Sequence, residues 1–294
     1  MQGLLIKACL LSIGLWFFNT TCDAQRTKHE LNHLIYSPTP QTLPSGAFGL
    51  RASIRFGDIG GSAGGYENFY GLDELQDSYL GINYGLSDRI QIGVSRSKGS
   101  GVQRQLVNGE IKLNILNQSD STGGMPVSVG LSHVTTGALQ LASNDPESMT
   151  YFGEAAHRLS FASQVIVSRQ YSSFLHLQAI GGYQHRNIAP ANESNGLFYA
   201  GGAAQISLSG SLDLIFEGIY PISNSRSSEL GYYPLYGGGL SYRTQCGDQW
   251  VLELTNGRGL TPNDFIPYSQ SDIRAGEVRF SLTFNKLFIQ NSDS

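Results

Sequence analysis

The stretch from Gly71 to Gly99, GLDELQDSYLGINYGLSDRIQIGVSRSKG, constrains the fold more than any other. Leu80, Ile82, Tyr84 and Leu86 are apolar, and Gly81, Asn83 and Gly85 stand between them. Ser87-Asp88 makes a turn, after which Ile90, Ile92 and Val94 alternate with Gln91, Gly93 and Ser95. A period of two on both sides of a tight turn predicts an antiparallel hairpin with one apolar face. A half-buried soluble sheet would place charges on its other face, but here that face is small and polar. The unit recurs to the end of the chain, which predicts a closed barrel whose apolar face meets lipid.

Composition supports that reading. Charged residues make up 14%, against roughly 25% for a soluble domain. The 36 glycines among 294 residues are about 12%, against a usual ~7%. There are 15 tyrosines and 14 phenylalanines, yet no long apolar run in the body of the chain. In a membrane barrel lipid-facing and lumen-facing residues alternate, so hydropathy never peaks. The net charge of −4 gives no basic excess for nucleic acid.

The one apolar run is Ala8–Phe18, preceded by Lys7 and followed by polar and small residues to Ala24. It is too short to span a bilayer as a helix and reads as a secretory signal peptide over 1–24, cleaved after Ala24. Cys22 lacks the preceding Leu that a lipidation motif would supply. Cys9 and Cys22 leave with the signal, so Cys246 has no partner within the mature chain and reads as a bystander. Residues 25–45, with Pro38, Pro40 and Pro44, read as a periplasmic leader with no core. The barrel is expected over 46–288, with a tail at 289–294.

Twelve strands are expected, at Ala47–Gly57, on the two sides of the hairpin, and at Arg104–Leu116, Pro126–Val134, Ala155–Arg169, Phe174–His185, Leu197–Leu208, Leu212–Tyr220, Leu235–Arg243, Trp250–Asn256 and Gly276–Phe288. The fold class is therefore all-β, a single closed antiparallel transmembrane β-barrel of about 12 strands. Bilayer carbon offers the backbone no hydrogen-bond partner, so a sheet in lipid has to close on itself. Links alternate between longer and shorter, as in outer-membrane barrels with long outer loops and short periplasmic turns. Both chain ends then fall in the periplasm. The link at Arg96–Gly101 is short for an outer loop, and that at Asn117–Met125 is long for an inner turn.

Alternation turns Arg51, Arg55, Glu110, Lys112, Arg158, Asp213, Glu217, Glu253, Glu277 and Arg279 inward. A soluble barrel or sandwich would have to bury most of these charges, at roughly several kcal/mol for each ion left unpaired. In a membrane barrel they line the lumen, either as a salt-bridged filling or as the wall of a narrow selective pore.

The hairpin segment GLDELQDSYLGINYGLSDRIQIGVSRS, then VNGEIKLNIL, WVLELTNGRGLTPNDFIP and EVRFSLTFNKLF resemble the Bacteroidota β-barrel proteins of domain-of-unknown-function family five-seven-seven-seven. The resemblance covers the mature chain and is strongest over Gly71–Leu116 and Trp250–Phe288. It implies an outer-membrane barrel of a Gram-negative bacterium and brings no activity and no site residues.

His185, Ser194 and Asn195 suggest the His/Ser/Asn set of outer-membrane phospholipases. The nine positions from His185 to Ser194, across a loop, do not match the close spacing that acyl transfer on such a barrel uses. Asp73, Glu74 and Asp77 could gather on Ca²⁺ but lack a loop motif. His29, His33, His133, His157 and His176 show no metal spacing, and the Gly-rich segments at 60–65 and 237–239 lack the Lys-Ser/Thr of a phosphate loop. Tyr66, Phe69 and Tyr70 read as part of an interfacial aromatic girdle, or as a ligand patch. No catalytic, cofactor or metal residue is assigned. The expected function is a non-enzymatic, porin-like passive channel or transporter for small solutes. The alternatives are a scaffold barrel whose outer loops bind a surface or envelope protein and, third, a phospholipase-like lipid hydrolase.

Overall fold

The computed structural model describes residues 32–289 apart from 100, 120, 122–123, 191–192, 224–225, 227 and 245–246. The signal peptide and its cleavage site, His29, Cys22, Cys246 and the tail from 290 onward lie outside the described residues. Twelve antiparallel strands form one closed barrel. They are β1 (Phe48–Asp58), β2 (Leu75–Ser87), β3 (Ile90–Lys98), β4 (Gln105–Leu116), β5 (Ser128–Ala138) and β6 (Leu159–Gln170), then β7 (Leu175–Arg186), β8 (Gly196–Ser207), β9 (Leu212–Ile222), β10 (Leu235–Arg243), β11 (Gln249–Thr255) and β12 (Arg279–Phe288). Each strand pairs with its sequence neighbours, and β1 closes the wall by pairing with β12 from Phe48↔Phe288 to Asp58↔Arg279.

Burial alternates along the strands as the side-chain period requires. In β1 Arg51, Ser53 and Arg55 are buried while Leu50, Ala52 and Ile54 between them are not. In β11 Val251 and Glu253 are buried, and Leu252 and Leu254 are exposed. Bulky apolar side chains thus cover the outside of the wall. The links at 88–89, 171–174, 208–211 and 244–248 are short, and those at 59–74, 139–158 and 256–278 are long. By the usual asymmetry of such barrels the short end is periplasmic, and β1 starts and β12 ends there.

The observed bounds correct two expectations. Strand six begins at Leu159 because Ala155–Arg158 winds into a 3₁₀ turn closed by a reciprocal Glu154–His157 capping box. Arg158 therefore sits at the outer rim. The last strand begins at Arg279, since Ile273–Ala275 forms another 3₁₀ turn ended by Gly276 at φ 78°. Glu277 is thereby left in the loop.

Leu252 faces out at 49% exposure and is flanked in register by Leu240 and Leu282. Leu252→Arg is expected to cost about 2–4 kcal/mol of stability against urea in phospholipid vesicles, the mid-bilayer penalty for a cation. A change within about 0.5 kcal/mol, usual for a surface position in water, would contradict the lipid-facing assignment.

Candidate functional site

The lumen is occupied by two pieces of this same chain. The first is residues 32–45, which sequence reading left without a core. Leu34, Ile35 and Tyr36 are 3%, 2% and 1% exposed and join Ile166, Ile180, Ile215, Ile219 and Leu235 from the inner wall in one apolar cluster. Burial of that patch offsets the ordering of an otherwise polar segment. Pro38, Pro40 and Pro44 suit the position, since each lacks an N–H that a narrow lumen would have to satisfy. The Tyr36 and Ser37 N–H groups donate to Glu217 Oε2 at 2.8 and 3.4 Å, and the Ser37 hydroxyl donates to Glu217 Oε1 at 2.5 Å. Gln178 Nε2 donates to Ser37 Oγ and Pro38 O at 2.8 and 3.0 Å, and Lys112 Nζ reaches Asn32 Oδ1 at 2.8 Å. Two inward glycines admit the segment: a Cβ at Gly130 would lie 2.8 Å from Pro40 Cα, and one at Gly237 2.8 Å from Ile35 Cγ2.

The second piece is the outer loop 256–278, folded into the barrel. Arg55, fully buried, pairs with Glu253 at 3.6 Å and donates to Gly257 O and Gly259 O. The Gly259 N–H donates to Asp77 Oδ2 at 2.9 Å. Arg279 pairs with Asp58 at 2.5 Å and donates to Asn256 O and Ser271 Oγ. Pro262–Phe265 forms one helical turn, from which Asn263 Nδ2 crosses to Val134 O and Thr136 Oγ1 at 3.0 and 2.8 Å. The Tyr36 and Phe265 rings meet with centroids 5.2 Å apart. The inner segment and the inward loop therefore touch inside the wall.

Of the ten inward charges read from sequence, Arg51, Arg55, Lys112, Asp213, Glu217, Glu253 and Arg279 are buried inside, and Glu110 is partly exposed there. Arg158 and Glu277 stand at the rim: Arg158 donates to Ala138 O and Gln140 O, and Glu277 accepts from the Asp272 N–H. Asp213 pairs with Arg243 at 3.5 Å. Among the described residues Arg51 and Glu110 belong to no ion pair. Arg51 lies over the Tyr79 ring at 5.2 Å, and Glu110 accepts from Ser132 at 3.3 Å. Both border a cavity of about 30 Å³ between the wall, the inner segment at His33 and Pro38, and the loop at Leu260–Pro262. It has room for about one or two waters.

Sequence reasoning missed a second charge cluster, at the outer mouth. Glu193 accepts from Arg186, Arg226 and the Tyr232 hydroxyl, which ties the loop at 187–195 to that at 223–234. Burial and the adjoining carboxylate push the Tyr232 hydroxyl above its usual pKa. The other candidate sets do not assemble. His185 Nε2 bonds Asn187 Oδ1 at 3.1 Å, Ser194 Oγ accepts from the Gly196 N–H, and Asn195 Nδ2 donates to Arg186 O. Asp77 points into the lumen while Asp73 and Glu74 stay on the exposed loop. Tyr66, Phe69 and Tyr70 lie on that loop rather than on the wall.

The barrel is similar in fold to an outer membrane channel from Pseudomonas putida F1, at TM-score 0.50 and 11% identity, covering 84% of this chain and 97% of that one. It is similar also to the KdgM porin, at TM-score 0.48 and 8% identity, covering 83% and 99%. Comparison with curated protein sequences gives no match. The closed wall and its lipid-facing side chains place the protein in the bacterial outer membrane. The family model described as the membrane bound beta barrel domain, DUF5777, matches residues 30–288, and the chain belongs to that family.

Proposed function

We propose that the protein is a non-enzymatic outer-membrane channel for small polar solutes, held closed by its own residues 32–45. The observation that carries this reading is the unlike character of the two sides of the lumen. Toward β6–β11 the inner wall carries the isoleucines and leucines that pack against the inner segment, set among polar anchors such as Gln178 and Glu217. Toward β1–β5 it is polar, and Arg51 and Glu110, which among the described residues form no salt bridge, border what cavity remains. A barrel evolved only to be solid would gain nothing from setting an arginine and a glutamate outside any salt bridge beside a void, since charged side chains in a dry interior need close partners. They are useful where water and solute pass.

The two fillings differ in how they can leave. The inward loop is tethered at both ends and bolted by Arg55, Asp77 and Arg279. Among the described residues the inner segment runs into the wall at its C-terminal end, just before β1, and its withdrawal would break no strand pair. The filled lumen and the Glu193 cluster favour a second reading, a rigid scaffold whose outer loops present a surface to an envelope or surface protein.

Planar-bilayer recording separates the two. The mature chain is expected to be silent, and removal of residues 25–45 to give discrete conductance steps whose ion selectivity shifts with Arg51→Ala. A truncated barrel that keeps heat-resistant mobility on a gel yet stays silent would favour the scaffold. Glu217→Ala leaves three donors of the inner segment without their acceptor, a loosening of about 1–3 kcal/mol for each buried group stranded. Brief openings are expected from this full-length variant and would be absent if the segment does not gate.

A further inference from the structure

Cations on the lipid-facing side of a barrel are costly at mid-bilayer and tolerated near the interface. β3 nevertheless ends its outward row of Ile90, Ile92 and Val94 with Arg96 and Lys98, at the extracellular end of the strand. Arg104 follows across the next loop, one residue before β4, and Lys98 lies opposite Gln105 in register. Among the described residues none of the three takes part in an ion pair. Lys98 Nζ donates to Leu75 O, at 2.9 Å.

These cations close one end of a groove of about 800 Å³ in the outer wall. Its floor is low because two outward positions carry small residues, Ala52 and Ser78, and Ala52 is set in register between Leu80 and Phe284. Leu282, Phe284 and Trp250 bound the far side, with the Phe284 and Trp250 rings 4.5 Å apart. The groove is apolar toward mid-wall and cationic at the outer rim. Arg169 makes the contrast. It lies at the periplasmic end of β6, over the Tyr171 ring at 4.7 Å, and is not part of this groove's lining.

We infer that this groove docks an acylated, phosphate-bearing glycolipid of the outer leaflet. One acyl chain lies along Ala52 and Ser78, and the phosphates meet Arg96, Lys98 and Arg104. Guanidinium groups match phosphate oxygens in paired hydrogen bonds, which an ammonium supplements as a point charge. Three cations spread round a loop end suit a headgroup with more than one phosphate. The inference rests on the orientation of the barrel and is independent of the channel reading.

Native mass spectrometry of the full mature chain in mild detergent tests it, with diphosphoryl lipid A, dephosphorylated lipid A and phosphatidylglycerol as probes. One retained diphosphoryl lipid A per chain is expected. Each Lys or Arg near an anionic headgroup contributes roughly fivefold, so Arg96→Gln/Lys98→Gln/Arg104→Gln should weaken retention by on the order of 100-fold. Dephosphorylating the lipid should do the same to the unaltered protein. Ala52→Phe, which fills the groove and keeps the cations, should weaken retention by roughly tenfold or more, a methylene-scale loss repeated along the chain. Arg169→Gln should leave it unchanged. Equal retention of diphosphoryl and dephosphorylated lipid A, retention of phosphatidylglycerol as strong as that of diphosphoryl lipid A, or a triple variant that binds like the parent would each overturn the assignment.

Discussion

A sheet that lives in hydrocarbon must pair every backbone donor and acceptor within itself, and only a ring of strands does so. Closure also creates an inside. Twelve strands enclose more space than their own inward side chains fill, so the interior holds either water or more protein. In this molecule it holds protein. Arg55 and Arg279 hold the loop 256–278 down from the outer end, and Glu217 holds residues 36–37 from the periplasmic side.

The two fillings are secured by different chemistry. The loop is fixed mainly by charge-assisted hydrogen bonds to its own carbonyls and amides, which demand one geometry and strengthen where water is scarce. The inner segment relies more on apolar contact, with Leu34, Ile35 and Tyr36 against the isoleucines and leucines of β6–β10. Apolar contact is non-directional, so it seats a segment firmly while allowing it to slide out as a unit. The polar half of the lumen is left between the two, where Arg51 and Glu110 face the residual cavity.

The wall could be read from the sequence because period-two alternation survives in nearly every strand, as in Arg51-Ser53-Arg55 against Leu50-Ala52-Ile54. The filling could not, for two reasons. Ile166, Ile180, Ile215 and Ile219 face inward, and a bulky apolar residue is the one that sequence reading turns toward lipid, as it does Val165 and Val167 on either side of Ile166. The triplet Leu34-Ile35-Tyr36 is too short to register as a core between polar residues and prolines. The signal that could have exposed it was the parity of those isoleucines, since a greasy inward row needs a greasy partner. Arg158 and Glu277 were misplaced for a local reason: the capped turns at 155–158 and 273–275 end the alternation before their positions.

The central claim is that residues 32–45 reside inside the closed wall, with Ser37 against Gln178. Gln178 Nε2 lies 2.8 Å from Ser37 Oγ, and a cysteine is shorter than the glutamine it replaces, so cysteines at these two sites, in a background with Cys246→Ser, come within reach of a short bifunctional methanethiosulfonate only if the segment is seated. Treating outer membranes carrying Ser37→Cys/Gln178→Cys with that crosslinker is expected to give an intramolecular bridge in most of the folded protein, seen as a shift in gel mobility that reductant reverses. Free thiols at both sites, with position 37 open to a bulky water-soluble maleimide, would mean that the segment lies outside the barrel.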